Sequence, residues 1–177
     1  MSSEQVAGLS AGAVVVAPEP YDSPVAQRFV AALEADMVER YDVDVTAPGY
    51  EGEESQYWMV RAEQVTPPAG VFLVARIDGR PVGSGAVRVL PGGPPATGEV
   101  KRMYVEPEAR RRGVSRAILT RLEAEAAGFG FRRLQLETGD QQPEAIALYE
   151  SAGWHQIAPY GQYAVEDGSV CFAKDLG

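Results

Sequence analysis

Three consecutive arginines, Arg110, Arg111 and Arg112, precede Gly113 near the middle of the chain, and apolar residues recur at helical spacing from Val114 onward. A helix N-terminus carries partial positive charge and unpaired N–H groups, so three cations are unfavourable there unless an anion joins them. Backbone N–H groups, a glycine that permits close approach and arginine forks together favour phosphate. The alternative is a basic turn that is simply solvated, but the order of strand, glycine and amphipathic helix favours a phosphate site.

The segments around this turn predict the elements that position it. Residues 100–105 are apolar, β-branched and aromatic, as in a strand, and Pro107 ends that strand. The following helix extends to Gly128, a residue type common at helix ends, and residues 133–138 form the next strand. A strand, a helix and a strand of these lengths predict a parallel pair with a right-handed crossover.

The strand before the turn has an irregular pattern. In a regular strand the side chains of Val100 and Met103 would point to opposite faces. A single bulge near Arg102 would place both on the same face. Gly83 and Gly85 interrupt the preceding strand and predict a bulge or a close approach of backbones.

The remaining periodic segments complete the predicted fold. Ser23 followed by Pro24 is typical of a helix start, and Asp78-Gly79 is typical of a hairpin turn. The other predicted elements are an edge strand at 13–17, a helix at 24–41, strands at 71–77 and 81–90, a helix from 143 to 153, and antiparallel strands at 154–159 and 169–174.

We expect an α/β fold, a mixed and mainly antiparallel sheet with one parallel strand–helix–strand crossover and helices on both faces. Residues 1–10 are expected to be a disordered tail, and residues 11–177 a single domain.

Composition excludes several classes of protein. The chain is 45% hydrophobic and 23% charged, as in a globular domain, and its net charge of −9 argues against a nucleic-acid partner. Cys171 and His155 are the only cysteine and histidine, so no internal disulfide and no Cys/His-rich zinc site can form, and we expect no metal. No apolar run approaches the roughly 20 residues that span a bilayer, and no Lys or Arg precedes Arg28, which predicts a cytoplasmic protein without a membrane partner.

The arginine turn also carries a family resemblance. Arg110-Arg111-Arg112-Gly113-Val114-Ser115 resembles the R-x-x-G-x-[GA] signature of the GNAT superfamily of N-acetyltransferases, and residues 100–107 are similar to the strand before that signature. Ser115 departs from the family's Gly or Ala, although serine is also small. The resemblance implies that acetyl-coenzyme A, as cosubstrate, binds to Met103, Tyr104, Val105, Arg110, Arg111, Arg112, Gly113, Val114 and Ser115.

Residues 142–154 resemble a second GNAT signature, N-x-x-A-x-x-L-Y-x-x-x-G-[FW]. The matching positions are Ala145, Leu148, Tyr149, Gly153 and Trp154. Gln142 replaces the usual Asn, keeps the amide on a longer side chain, and is also predicted to bind the cosubstrate. The order and spacing of the two signatures make the joint match specific.

The resemblance implies catalytic roles for two residues. Tyr149 would protonate the leaving thiolate, which needs a proton donor, although an aromatic residue at helical spacing is also a common core residue. Glu99 would act as the base, directly or through water, and the alternative is an ordinary exposed glutamate at a strand end. Backbone N–H groups freed by a bulge near Met103 would stabilise the negative oxygen formed on attack.

The implied function is acetyl transfer to a primary amine of a small molecule. Alternatives are transfer to a protein or peptide amine and a non-catalytic acetyl-coenzyme A sensor. Residues 42–64 are acidic with interleaved aromatic residues, either as a solvated loop or as a rim that selects a cationic acceptor. The family also makes a homodimer a possible partner arrangement.

Overall fold

The computed structural model describes residues 12–42 and 60–177. The strands are β1 (Val14–Pro18), β2 (Gly70–Ile77), β3 (Arg80–Val89), β4 (Thr97–Val105), β5 (Arg133–Gly139), β6 (His155–Ile157) and β7 (Ser169–Asp175). The helices are α1 (Pro24–Tyr41), α2 (Val114–Gly128) and α3 (Pro143–Ser151). Within the described residues the strands form one sheet in the order β1-β2-β3-β4-β5-β7-β6.

The sheet is buried on both faces because its central strands are apolar on both sides. In β2, Leu73 belongs to the core cluster that includes Ile118 of α2, whereas its neighbour Phe72 belongs to the cluster that includes Phe29 of α1. Successive side chains of a strand point to opposite faces, so α1 and α2 cover opposite sides of the sheet. The predicted α/β class, with helices on both faces, is confirmed.

The local start and turn signals act as predicted. The Ser23 side chain accepts a hydrogen bond from the Ala26 N–H at 3.1 Å, which caps α1. Asp78 and Gly79 have φ values of 49° and 78° and join β2 to β3 as a two-residue hairpin turn. None of the helices found in residues 12–42 and 60–177 is both long and apolar enough to cross a membrane.

The predicted bulge lies in β4. The register between β3 and β4 shifts between Ser84 and Ala86, and Arg102 has a φ of 60°. Gly85 lies opposite this bulge, where a Cβ atom would come within 2.7 Å of the Met103 sulfur. Gly85 therefore lies at the predicted bulge, and Gly83 lies at a close approach of backbones, since a Cβ atom there would come within 2.8 Å of the Tyr104 carbonyl oxygen.

The parallel pair predicted from the crossover is β4 and β5, and their pairing is short. It runs from Thr97 opposite Arg133 to Glu99 opposite Gln135, although both strands continue beyond that point. The two strands therefore separate just beyond Glu99, before the bulge at Arg102, and a gap opens in the middle of the sheet. The last two strands are antiparallel as predicted, but β7 pairs with β5 and leaves β6 at the edge.

Candidate active site

The arginine turn lies at one mouth of the gap between β4 and β5. Arg110 holds the turn in place, because its guanidinium donates to the Val105 carbonyl at 3.0 Å and contacts the Asp36 carboxylate of α1 at 3.4 Å. Arg111 is exposed, with a φ of 60°. The Ala117 N–H bonds to the Gly113 carbonyl at 3.0 Å, so the amides between these two residues have no partner within the helix.

A cavity of about 740 Å³, which we call the turn cavity, opens onto this helix N-terminus. Of the residues predicted to bind the cosubstrate, those in its wall are Met103, Tyr104, Val105, Arg110, Arg111, Gly113, Val114, Ser115 and Gln142. The wall does not include Arg112, which makes other interactions. A Cβ atom added to Gly113, whose φ is 77°, would have no described atom within 4 Å, so open space adjoins the backbone there.

A second cavity of about 220 Å³, the inner cavity, lies where β4 and β5 have separated. Its wall carries charges of both signs, Lys101 and Arg102 from β4, Glu137 from β5, and Glu166 and Asp167 from the segment before β7. The two cavities share the side chains of Leu33, Met37, Met103, Gln142 and Tyr149. They therefore meet beside the bulge.

Tyr149 belongs both to the core and to the place where the cavities meet. Its ring contacts Trp154 and Phe172, with centroids 6.0 and 5.7 Å away, and the residue is only 5% exposed. Its hydroxyl has no hydrogen-bond partner within residues 12–42 and 60–177, and it lines both cavities. Burial raises the pKa of Tyr149, so the hydroxyl keeps its proton at neutral pH. The two alternatives for this residue, core packing and proton donation, are structurally compatible.

Gln142 links the start of α3 to the end of α1. Its side-chain amide contacts the Tyr41 hydroxyl at 3.4 Å and the Met37 sulfur at 3.7 Å. Arg40 reinforces this link by donating to the Gln141 carbonyl at 2.9 Å and pairing with Glu144 at 2.9 Å. The longer side chain at position 142 therefore reaches across the cavity wall to α1.

Glu99 is not an exposed strand-end residue, so that alternative is wrong. It is 2% exposed, and one carboxylate oxygen accepts two bonds from Arg88, at 2.9 and 3.1 Å. The other oxygen accepts hydrogen bonds from the Tyr160 and Tyr163 hydroxyls, at 3.1 and 3.3 Å. Arg88 pairs with Glu99 because the two face each other across β3 and β4, and Gln64 accepts a further bond from Arg88 at 3.0 Å.

Lys101 and Glu137 are among the charged residues of the inner cavity that sequence reasoning missed. Lys101 donates to the Tyr163 hydroxyl at 2.7 Å, and burial lowers the pKa of Lys101. Glu137 accepts a hydrogen bond from Ser169 at 3.1 Å, and burial raises the pKa of Glu137. Strand alternation places Glu137 on the face opposite Leu136, but no pattern in the sequence shows that this face borders a gap.

The acidic segment falls partly outside the described residues. Glu51, Glu53 and Glu54, with the aromatic residues between 50 and 58, belong to residues 43–59 and lie beyond the part of the chain that the structure describes. The rim predicted from them stays a prediction.

Comparison with known proteins points to one family. The model of the Acetyltransferase (GNAT) family matches residues 31–154, which include both predicted signatures. A relative from Azospirillum brasilense, named IAA acetyltransferase, is 43% identical over 105 residues, 59% of this chain and 67% of the relative. Two further relatives are matched over only 57% and 54% of their own lengths, so the chain spans about half to two thirds of the curated relatives that it matches.

Solved structures share the fold. A Klebsiella pneumoniae protein assigned to the acyl-CoA N-acyltransferases superposes with a TM-score of 0.72 at 27% identity, covering 93% of this chain and 98% of that one. An aminoglycoside 6'-N-acetyltransferase complexed with coenzyme A superposes with a TM-score of 0.64 at 16% identity, over 92% of this chain and 97% of its own. The second likeness is one of fold alone.

Proposed function

Because the chain belongs to the GNAT family of acetyltransferases, we propose that it transfers the acetyl group of acetyl-coenzyme A to a primary amine of a small molecule by direct attack. The observation that carries this proposal is the meeting of two cavities at Met103 and Tyr149. One cavity ends on a basic helix N-terminus that suits a phosphate group, and the other is small and charged. A donor and an acceptor entering from the two sides would meet at the bulge.

The residues of the turn cavity fit acetyl-coenzyme A. The unpaired amides at the start of α2, the exposed Arg111 and the open space beside Gly113 would hold its pyrophosphate. Met103, Tyr104 and Val105 belong to the part of β4 that no longer pairs with β5, so an extended ligand would lie along the backbone edge at Met103 and Tyr104, while the Val105 carbonyl already accepts a bond from Arg110. Arg112 lies outside the cavity wall, and we assign it no contact with the body of the ligand.

The chain's own groups would handle the protons of the reaction. An amine must be neutral to attack, and a typical primary ammonium, with a pKa near 10.4 as in lysine, is charged at pH 7. Glu99 is the proposed proton acceptor, and amides at the Met103 bulge would bind the negative oxygen. Tyr149 would give its proton to the departing thiolate.

The acceptor is proposed to be small and cationic. The inner cavity holds about 220 Å³, which favours a small molecule over a folded protein surface. Three carboxylates, Glu137, Glu166 and Asp167, line it against two cations, Lys101 and Arg102, an excess of one negative charge, and Arg102 lies 3.7 Å from Glu34 of α1. The excess of negative charge favours an ammonium group.

The test is a thiol-release screen with acetyl-coenzyme A over amines, amino acids, polyamines, aminoglycosides and peptides. We expect turnover with small amines and little with peptides. A preference for peptides would favour the protein or peptide acetyltransferase. Binding of acetyl-coenzyme A in calorimetry, without thiol release for any amine, would favour the non-catalytic sensor and contradict the proposal.

A further inference from the structure

A chain of hydrogen bonds connects the inner cavity to Glu99. The Lys101 ammonium lines the cavity and donates to the Tyr163 hydroxyl at 2.7 Å, and that hydroxyl donates to a Glu99 oxygen at 3.3 Å. Glu99 itself is 2% exposed and is not part of the cavity wall. A proton leaving an amine in the cavity therefore has a bonded path to this carboxylate through two other side chains.

Direct contact between Glu99 and the acceptor is prevented by the groups that cover the carboxylate. Arg88 occupies one oxygen, and the hydroxyls of Tyr160 and Tyr163 occupy the other. The aromatic rings of these tyrosines pack edge to face, with centroids 5.3 Å apart, over the buried pair. An acceptor amine would have to displace this packing to reach the carboxylate.

We propose that Lys101 and Tyr163 relay the acceptor's proton to Glu99, so that Lys101 is the group that takes the proton from the substrate ammonium. This inference rests on the proposed acetyl transfer to an amine. It assigns Lys101 a catalytic role and Tyr163 a positioning and relaying role.

The proposed steps conserve protons and electron pairs. Tyr163 gives its hydroxyl proton to Glu99 as it receives one from Lys101, and the neutral Lys101 then takes a proton from the acceptor ammonium. The neutral amine attacks, the C–N bond forms and the C–S bond breaks. The thiolate takes the Tyr149 proton, and the second proton on the new amide nitrogen returns to Tyr149. After the product leaves, Lys101 gives a proton to water in the cavity and regains through Tyr163 the proton held by Glu99, so one proton is released for each acetyl group transferred.

The electrostatic surroundings of Lys101, Tyr163 and Glu99 favour the proton transfers proposed for them. Burial lowers the pKa of Lys101; the nearby carboxylates of Glu99 and Glu137 oppose this shift, and the guanidinium groups of Arg88 and Arg102 add to it. The lysine therefore gives up a proton more readily than an exposed one. Burial raises the pKa of Tyr163, so its hydroxyl passes a proton on without remaining ionised. Arg88 donates to one Glu99 oxygen, and the Tyr163 hydroxyl donates to the other, which is the oxygen that would receive the proton.

The structure provides a matched pair of variants for the test. Tyr163→Phe removes the relay hydroxyl but keeps the ring, over which the Lys101 ammonium lies 5.4 Å from the centroid. Tyr160→Phe removes a hydrogen bond to the same Glu99 oxygen from a hydroxyl that does not contact Lys101. We expect Tyr163→Phe to lower kcat/KM at pH 7 by at least about tenfold, and Tyr160→Phe by less than about threefold, given the usual size of proton-transfer effects.

The pH dependence separates a proton relay from a purely structural effect. At pH values near the pKa of the free acceptor amine, much of that amine is already neutral in solution. It binds without a proton to lose, so the relay is not needed. The deficit of Tyr163→Phe is therefore expected to shrink as the pH rises, with unchanged affinity for acetyl-coenzyme A. Equal deficits in both tyrosine variants at every pH would overturn the relay.

Substitutions of Lys101 separate its charge from its proton. Lys101→Arg keeps a cation that cannot be deprotonated in proteins, so it is expected to be as defective as Lys101→Met. An active Lys101→Arg enzyme would show that only the charge matters and would overturn the relay. A deficit that shrinks with rising pH in Glu137→Gln, and not in Tyr163→Phe, would assign the proton to Glu137 and would also overturn the relay. A wild-type chain that transfers to no amine would overturn the proposed function, and the relay with it.

Discussion

At the scale of single residues, Tyr149 combines packing with the chemistry proposed for it. Its hydroxyl makes no hydrogen bond to the described residues, so Tyr149→Phe removes a proton donor without breaking a bond in the core. We expect kcat to fall by at least about tenfold, while the melting temperature and the affinity for acetyl-coenzyme A stay nearly unchanged. Steady-state kinetics with thermal melts check this. Full turnover in Tyr149→Phe would make the residue a packing residue and water the source of the proton.

Glu137 has a testable effect on stability. Burial raises its pKa in the folded chain above the value in the unfolded chain. The folded state therefore binds more protons between these two values, and stability falls as the pH rises through that window. Above the folded-state pKa the ionised form costs stability, so Glu137→Gln is expected to raise the melting temperature at pH 8.

Melting temperatures measured at low pH provide the control for Glu137→Gln. Below the ordinary glutamate pKa, about 4.3, both states are protonated, and the variant and the wild type should melt at similar temperatures. Gln keeps the oxygen that accepts the bond from Ser169, so the comparison isolates the charge. A lower melting temperature for the variant at pH 8 would mean that the Glu137 charge is stabilised by its surroundings.

At the scale of elements, the turn before α2 determines how closely a ligand can approach the helix. Gly113 has a φ of 77°, and a side chain there would project into open space at the turn cavity. Gly113→Leu should weaken acetyl-coenzyme A binding by at least about tenfold, or about 1.4 kcal/mol, because the side chain would occupy the ligand's place. Calorimetry measures the change.

Gly153 provides the matched control for that variant. Its φ is 82°, a Cβ there also meets no described atom within 4 Å, and it lines neither cavity. Both variants should lose about 1–2 kcal/mol of stability from left-handed backbone strain, but Gly153→Leu should bind acetyl-coenzyme A normally. Equal affinities for the two folded variants would reject the phosphate site.

At the scale of the whole molecule, the net charge of −9 should favour a cationic acceptor. Neutralising Glu51, Glu53 and Glu54 together is expected to raise KM for the acceptor more than it lowers kcat. Added salt should also raise that KM, since screening weakens the attraction. An anionic amine as the best acceptor would contradict this prediction.

The control for the acidic segment changes the net charge equally at other places. Asp22, Glu39 and Glu150 are exposed and lie outside both cavity walls. Neutralising these three should leave KM for the acceptor nearly unchanged if the effect is local. Equal increases in KM would show that the charge of the whole molecule, not residues 51–54, attracts the acceptor.

Much of the fold follows from local patterns in the sequence. The Asp78-Gly79 turn, the Ser23 cap and the parity change at Arg102 each depend on a few neighbouring residues, and each predicted a feature that the structure contains. The arginine turn and the helix after it could be predicted in the same way, because backbone geometry and helical spacing are short-range properties.

Tertiary structure alone decided how the charged residues of the site combine. Glu99 had two alternative interpretations in the sequence, and its burial depends on Arg88 across one strand pair and on Tyr160 and Tyr163 from a segment about 60 residues away. Lys101 faces the inner cavity because β4 separates from β5 just beyond Glu99. Strand order, register and the covering segment set these contacts, and they result from the packing of the whole sheet, which no local spacing of residues encodes.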